Sequence, residues 1–480
     1  MIQWNRILEE LAGICGVDRI RTGPDETVQY AVDGMVPKAV LFPKNIKMTA
    51  ALVRCALRND LALVPWGKGT KIAMGNPPKR LDLVLCTARM NHMLDVDPAN
   101  LTITVEAGVR FRDLQARLAT EENRCYLALE ALEAEAGEFV CSERSHSGCF
   151  LPLDPPFSEK ATMGGIMATN SSGPRRLLYG LPRDLLLGVR FVTPGGEIIG
   201  AGGKTVKNVS GYDISKLMIG AMGSLGILCE MTLKLLPLPE RMETLLFSFE
   251  SFTDASAFAS AVFGTKLLPA ALEVADRAVL EHMDLRSSEG LAAGPYVAIA
   301  ALEAFDEAVA RMKRELQTMA RHFRATGHTL IHEDKHSLFW MALGQLQSSL
   351  LRRCHRLVAL RLSYPLSSWK TIFEFSERTL SQKGLKHALL CHSGSGVSLV
   401  HILLEAEEDR NASVIEAVGT LLAQCRAQGG NLLVERAPVD LKSDLPLWGE
   451  PGSDRSLMKR IRCEMDPSGL INPGRFCVDL

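Results

Sequence analysis

Two glycine-rich segments constrain this chain more than any other feature. The first, Val64-Pro65-Trp66-Gly67-Lys68-Gly69-Thr70, follows directly on an apolar run that begins at Leu61. The second, Thr162-Met163-Gly164-Gly165-Ile166-Met167-Ala168-Thr169-Asn170-Ser171-Ser172-Gly173, combines paired glycines with small residues, hydroxyls and an amide. A glycine-rich turn leaving a strand can curl its backbone N–H groups around an anion. A single G-x-G is more often a tight turn, because glycine adopts positive φ at no steric cost. The second loop shifts that balance. Small residues let a flat ligand lie against the main chain, and hydroxyls and N–H groups satisfy phosphate oxygens. Two such loops about ninety residues apart suit a dinucleotide lying across two subdomains. The chain has no G-x-x-x-x-G-K-[ST] loop, and Gly220-x-x-Gly223-x-x-Gly226 runs into a strand and not a helix. Neither a Walker loop nor a Rossmann fingerprint is therefore present.

The segments around the first loop alternate in type. Ala39–Pro43, Leu61–Pro65 and Leu81–Leu85 read as short strands, and Ile46, Ala50, Val53 and Leu57 fall at helical spacing between the first two. That order indicates an α/β unit. Trp4–Cys15 reads as a helix, Leu101–Gly108 as a strand, and a further helix starts near Phe111. Glu121–Gly148 is an acidic, Ala-rich elaboration, either a solvated loop or a docking surface beside the second glycine loop. Leu228–Leu236 returns to a strand, and Pro237-Leu238-Pro239 marks a boundary. Beyond it, strands such as Thr244–Phe249 and Tyr296–Ala301 alternate with amphipathic helices such as Phe305–His322, which indicates a separate α+β domain. The tail carries a basic helix from Leu457, then Asn472-Pro473-Gly474-Arg475-Phe476.

Composition removes whole classes. With 480 residues the chain is too long for one ordinary domain, and 54 basic against 55 acidic residues leave no electrostatic footprint for nucleic acid or a membrane surface. No apolar run approaches the roughly 18–20 residues that span a bilayer, and the N-terminus does not read as a secretory signal. A cytoplasmic protein is expected, one that reaches a membrane face only through partners. The 12 cysteines are dilute and none is spaced C-x-x-C, so reduced thiols are expected and no iron–sulfur or zinc run is present.

Read together, these stretches resemble the FAD proteins of the vanillyl-alcohol oxidase / p-cresol methylhydroxylase superfamily. Val64–Thr70 is similar to their first pyrophosphate loop and Thr162–Gly173 to their second flavin loop. Gly202–Asp213, Gly223–Leu228 and Asn472–Phe476 continue the likeness in the same order. Within the superfamily the chain resembles the glycolate oxidase / D-lactate dehydrogenase group. Leu151–Pro156, Ser172–Arg176 and Trp448-Gly449 look most like the smaller FAD-binding subunit of glycolate oxidase.

The resemblance implies an α+β protein: a PCMH-type FAD-binding domain of two α/β subdomains, and an α+β capping domain with an antiparallel sheet. The boundaries it implies are an N-terminal helical segment at 1–38, the FAD domain at 39–240, the capping domain at 241–450, and a tail at 451–480 that returns to the FAD domain. Carried over residue by residue, Pro65, Gly67, Lys68, Gly69 and Thr70, with Pro155, Thr162, Gly164, Gly165, Asn170, Ser172 and Gly173, would hold FAD. Ile227 would meet the adenine end, and Asn472 would approach the flavin. Some relatives link FAD through a histidine in the first loop. None lies between Val64 and Gly75, so non-covalent FAD is expected.

The pattern breaks at the substrate site. Such families carry His-x-Gly-Asp-Gly-Asn-x-His and a later Glu-His pair, ligands suited to a divalent metal that grips a 2-hydroxy acid. Here the stretch reads His392-Ser393-Gly394-Ser395-Gly396-Val397-Ser398-Leu399, and the later pair is Glu435-Arg436. No metal is expected, and His392 reads as a half-buried strand histidine. His401 lies two residues past the expected second ligand, on the same strand face. The substrate lysine of the family aligns with Ala359, which leaves Arg361 as the nearby basic residue, either gripping a carboxylate or salt-bridging a neighbouring strand. Arg361 and His392 are the catalytic candidates. His332 and His336 read as surface residues.

The expected function is an FAD-binding subunit of a 2-hydroxy-acid dehydrogenase that passes electrons to an iron–sulfur subunit, with a second FAD subunit bearing the intact metal motif as a further partner. A self-sufficient dehydrogenase, a relay or assembly subunit without its own substrate site, and a scaffold without FAD are the alternatives. Intact loops count against the scaffold.

Overall fold

The structure is a computed structural model that describes residues 2–120, 148–204, 212–283, 294–354, 356–405, 410–450 and 452–477. The Glu121–Gly148 elaboration, apart from its last residue, and the middle of the Gly202–Asp213 motif lie outside the described residues.

The first layer is the expected α/β unit. Strands β1 (Ile20–Arg21), β2 (Ala39–Leu41), β3 (Leu63–Trp66) and β4 (Leu83–Cys86) form a sheet in the order β1-β2-β4-β3. Pairing is parallel among β2, β4 and β3. The crossover is the Ile46–Arg58 helix, started by the Asn45 side chain, which accepts from the Met48 N–H at 2.9 Å. Its buried stripe includes Ile46, Ala50 and Val53, but Leu57, expected on the same stripe, remains exposed at the end of the last turn. The apolar run of β2, β3 and β4 follows from their burial on both faces.

The second layer is antiparallel throughout. Strands β5 (Met93–Asp97) and β6 (Thr102–Glu106) join β8 (Leu186–Val192), β9 (Ile198–Gly202) and β10 (Ile227–Lys234) in the order β5-β6-β10-β8-β9. Two short strands, β7 (Cys149–Phe150) and β11 (Leu236–Pro237), pair where the chain leaves this layer.

An eight-stranded antiparallel sheet follows. It contains β12 (Arg241–Phe249), β13 (Ala271–Asp276), β14 (Tyr296–Ala304), β15 (Gly327–His332), β16 (Arg356–Ser363), β17 (Lys386–His392), β18 (Val397–Leu404) and β19 (Asn431–Arg436), in the order β15-β12-β14-β13-β17-β18-β16-β19. Side chains alternate across a sheet, and here the alternation separates two environments. Leu272, Val274, Ala300, Leu360, Val400 and Val434 enter a core with the Phe252–Phe263, Asp306–His322, Trp369–Gln382 and Asn411–Ala427 helices. The other face carries Glu273, Glu303, Arg361, His392, His401 and Glu435 among its apolar residues.

The tail returns to the first sheet. Leu63 donates to the Leu470 carbonyl and the Asn472 N–H donates to the Leu63 carbonyl, both at 2.9 Å, so Ile471 extends the sheet in parallel beside β3. Asp466 accepts from the N–H groups of Leu470 and Ile471, and buried Arg462 donates to the Ile471 carbonyl. No helix among the described residues is long and apolar enough to cross a membrane.

Candidate functional site

The two glycine segments meet. A Cβ on Gly67 would stand 2.2 Å from the Thr162 hydroxyl oxygen, so only glycine lets the first loop approach the second. The second segment is not a loop from end to end, as the sequence suggests: Met163–Ala168 is a short helix capped by Thr162, whose hydroxyl accepts from Gly165 at 3.4 Å. Hydroxyl capping offsets the weak helix propensity of paired glycines. Gly164 is needed for packing, since a Cβ there would fall 2.8 Å from the Cβ of Ala107.

Between the two segments lies an open cavity. Pro65, Gly67, Lys68, Gly69, Thr70, Thr162, Gly164, Gly165, Ile227 and Asn472 all line it. Pro155, Asn170, Ser172 and Gly173 do not, and Pro156 and Ser171 stand there instead. Asn170 turns the chain at φ 48°, and Gly173 is held against Asp154, whose carboxylate accepts its N–H at 2.9 Å. A Cβ on Gly173 would fall 2.3 Å from the Asp154 carbonyl oxygen.

FAD fits this lining. Among the described residues the backbone N–H groups of Lys68, Gly69, Thr70 and Lys71 have no protein acceptor. Asn472 Oδ1 and Arg475 Nη1 are buried without a hydrogen-bond partner, and both residues line the cavity. Buried polar groups demand partners, and an anionic, hydrogen-bonding cofactor supplies them.

Lys71, missed in the sequence, is the surprise of the cavity wall. It sits one residue past the recognised loop, and its Nζ lies 3.2 Å from both oxygens of Glu435 on β19. Arg361 Nη1 approaches the same carboxylate at 3.8 Å from the neighbouring strand β16. Burial alone would raise the Glu435 carboxyl, but Lys71 and Arg361 outweigh it and hold it below its ordinary value. His401 lies near this group, with Nδ1 buried and unpartnered, and burial depresses it to about 4.

The salt-bridge reading of Arg361 is thus the one the geometry contains, although its Nε remains buried and unpaired. His392 ends β17, fully buried instead of half-buried, with Nδ1 2.5 Å from the carboxylate of Glu273 on β13. Burial raises the Glu273 carboxyl. Neither Arg361 nor His392 lines the cavity itself. An ammonium already covers Glu435, Glu273 covers His392, and no group of three His, Cys, Asp or Glu converges among the described residues.

A second buried network joins the segment after the second loop to the sheet. Arg175 Nε lies 2.5 Å from Glu303 on β14, and Tyr179 donates to the same carboxylate at 2.7 Å. His336, expected at the surface, is completely buried and bridges Glu303 at 3.2 Å and Thr244 at 2.8 Å. His332 alone of the pair is exposed, because it ends β15 while His336 lies one turn into the next helix, facing the sheet.

Comparison with known proteins now defines the class. The family description "FAD binding domain" matches residues 37–136 and 130–202, and "FAD linked oxidases, C-terminal domain" matches 238–476. The chain belongs to the FAD-linked oxidase family and carries its FAD-binding domain. It is similar to glycolate oxidase subunit GlcD of Bacillus subtilis, at 26% identity over 94% of this chain and 91% of that one. It is also similar to a D-lactate dehydrogenase of Archaeoglobus fulgidus, at 27% identity over 91% of this chain and 90% of that one. The solved structure of p-cresol methylhydroxylase superposes with a TM-score of 0.72 at 16% identity, covering 99% of this chain and 97% of that one, and shares its fold.

Proposed function

We propose that this chain is the FAD-binding subunit of a multi-subunit dehydrogenase of small 2-hydroxy acids, of the glycolate or D-lactate type, which passes electrons to an iron–sulfur partner. The observation that carries the reading is the cavity where the two glycine segments meet, with its unpaired Asn472 and Arg475 atoms and Lys71 in its wall. Bound non-covalently, FAD supplies a hydride acceptor for the carbinol carbon. The first loop presents N–H groups to its phosphates, Asn472 orients its ring, and the charged face of the sheet receives an acid. The subunit role rests on the relatives named as glycolate oxidase subunits. The described cysteines are scattered, and among the described residues no group of three His, Cys, Asp or Glu converges, which supports placing the cluster in another chain.

The purified chain should be yellow and should bleach near 450 nm on addition of glycolate or D-lactate. Affinity purification from the native host should recover an iron–sulfur subunit and a second FAD subunit. Full reoxidation of the lone chain by a soluble acceptor would remove the multi-subunit reading. A relay subunit without a substrate site is the second reading, favoured by the pairing of Glu435 with Lys71 and of His392 with Glu273. A yellow protein that no hydroxy acid bleaches would select it.

A further inference from the structure

Just past the first glycine segment the chain makes a turn whose carbonyls have no backbone partner. Among the described residues no main-chain N–H donates to Ile72, Ala73, Met74 or Gly75. Two side chains from distant parts of the chain take all of them. Arg475 Nη2, in the tail, donates to the Ile72 and Met74 carbonyls at 2.7 Å each. Lys442 Nζ, from just beyond β19, donates to the Ala73 carbonyl at 2.6 Å and to that of Gly75 at 3.1 Å. The Lys442 side chain is completely buried, and Asp33, near the N-terminus, meets its charge with oxygens at 2.7 and 2.8 Å. A buried ammonium is costly unless it is paired and hydrogen-bonded, and this one has a carboxylate and two carbonyls. One atom thus joins three distant parts of the chain. The turn it holds is continuous with the cavity. Thr70, Lys71 and Ile72 line the cavity, and the N–H groups of Ile72 and Met74 donate back to the carbonyls of Gly69 and Lys71.

We propose that Lys442 is a positioning residue for the cofactor: by holding Ala73 and Gly75 it fixes the first glycine segment in its FAD-binding shape before FAD arrives. This rests on the FAD reading above and adds to it a residue, carried from beyond β19, that prepares the site. Donors fixed in advance bind a ligand without the cost of ordering them. Glycines have the most conformational freedom to lose, so a segment containing Gly67 and Gly69 gains most from a clamp at its exit. The role belongs to the ammonium and not to the ion pair. Without the Asp33 charge, Lys442 still has both carbonyls to bond; without Lys442, both carbonyls lose their donor.

The test compares Lys442→Met with Asp33→Asn, which break the same ion pair from opposite sides, and with Val418→Ala, which loosens the helix-covered core of the eight-stranded sheet. Each apo protein is titrated with FAD well below its melting transition, and the phosphorus NMR resonances of the bound pyrophosphate are recorded. Lys442→Met should bind FAD roughly tenfold or more weakly, through faster release, and its phosphorus resonances should move. Asp33→Asn and Val418→Ala should melt at lower temperatures, yet keep the wild-type resonances and an FAD affinity within about threefold of wild type. Wild-type affinity and resonances in Lys442→Met would overturn the proposal. So would an equal loss of FAD from Asp33→Asn, which would make Lys442 half of a structural ion pair and no more. If Lys442→Met does not fold, hydrogen exchange in the wild type decides. The Ile72 and Met74 amides should exchange as slowly in apo protein as in flavin-loaded protein, and free exchange in the apo protein would overturn the clamp. A wild type that takes up no FAD defeats the cofactor reading and this inference with it, whereas full retention by Lys442→Met defeats this inference alone.

Discussion

Replacing Gly165 by aspartate should remove FAD without unfolding the protein. Gly165 lines the cavity, and a Cβ built there meets only the Thr162 hydroxyl, at 3.3 Å. The backbone is helical, so no strain attends the change. The position is the third residue after the Thr162 cap, where an acidic side chain favours the helix by about 0.3–1 kcal/mol. The apo variant should therefore melt no lower than apo wild type. A carboxylate about 5 Å from each of two phosphate charges, at an effective dielectric of about 20, opposes binding by about 3 kcal/mol per charge. Even half of that total is a loss of about a hundredfold in affinity. The assay is the ratio of absorbance at 450 and 280 nm after purification, then FAD titration of apo protein by flavin fluorescence, with Gly165→Ala as the steric control. Wild-type FAD affinity in Gly165→Asp would show that the Met163–Ala168 helix does not face the phosphates.

Gly164→Ala, one residue earlier, should act oppositely, lowering the melting temperature through the collision with Ala107, because overpacking costs about 1–3 kcal/mol. Arg175→Met should cost about 3 kcal/mol in urea denaturation, since it takes the guanidinium from buried Glu303 and leaves only Tyr179 and His336 beside that carboxylate. Burial pushes the Glu303 carboxyl up, but Arg175 and His336 overcome it and hold it at about 2, against an ordinary value of 4.5. The stability this supplies is complete above pH 4.5 and is lost as the pH falls towards 2. Urea midpoints across that window should fall for wild type and stay flatter for Glu303→Gln. Acid precipitation should release all the yellow colour, and flavin left in the pellet would contradict non-covalent binding.

Local chemistry made much of the fold legible. Ile46, Ala50, Val53 and Leu57 at helical spacing mark a helix, and one spans Ile46–Arg58 with the first three of them buried. The apolar run into Pro65-Trp66-Gly67 is a buried strand opening onto a turn for the same reason. Thr162 to Ala168 misled because hydroxyls and glycines signal a loop, while the capping bond that makes a helix of them is visible only with the backbone in place. His336 misled differently. Its spacing from His332 is helical, but the element boundary falls between them, and burial depends on the sheet below.

The site divides along the same line. By itself the sequence singled out most of the called residues that line the cavity, because a tight backbone turn needs glycines in one contiguous run, and it showed the metal motif to be broken, because missing side chains are missing in any fold. What tertiary structure alone decided is which charges meet. Lys71 and Glu435 lie 364 residues apart, and Arg361 joins them from a third element. No local pattern can encode such a meeting. It depends on the glycine layer being seated against the antiparallel sheet and on the alternation that turns Arg361 and Glu435 to the face opposite the helix-covered core, and both are set by packing between elements distant in the chain.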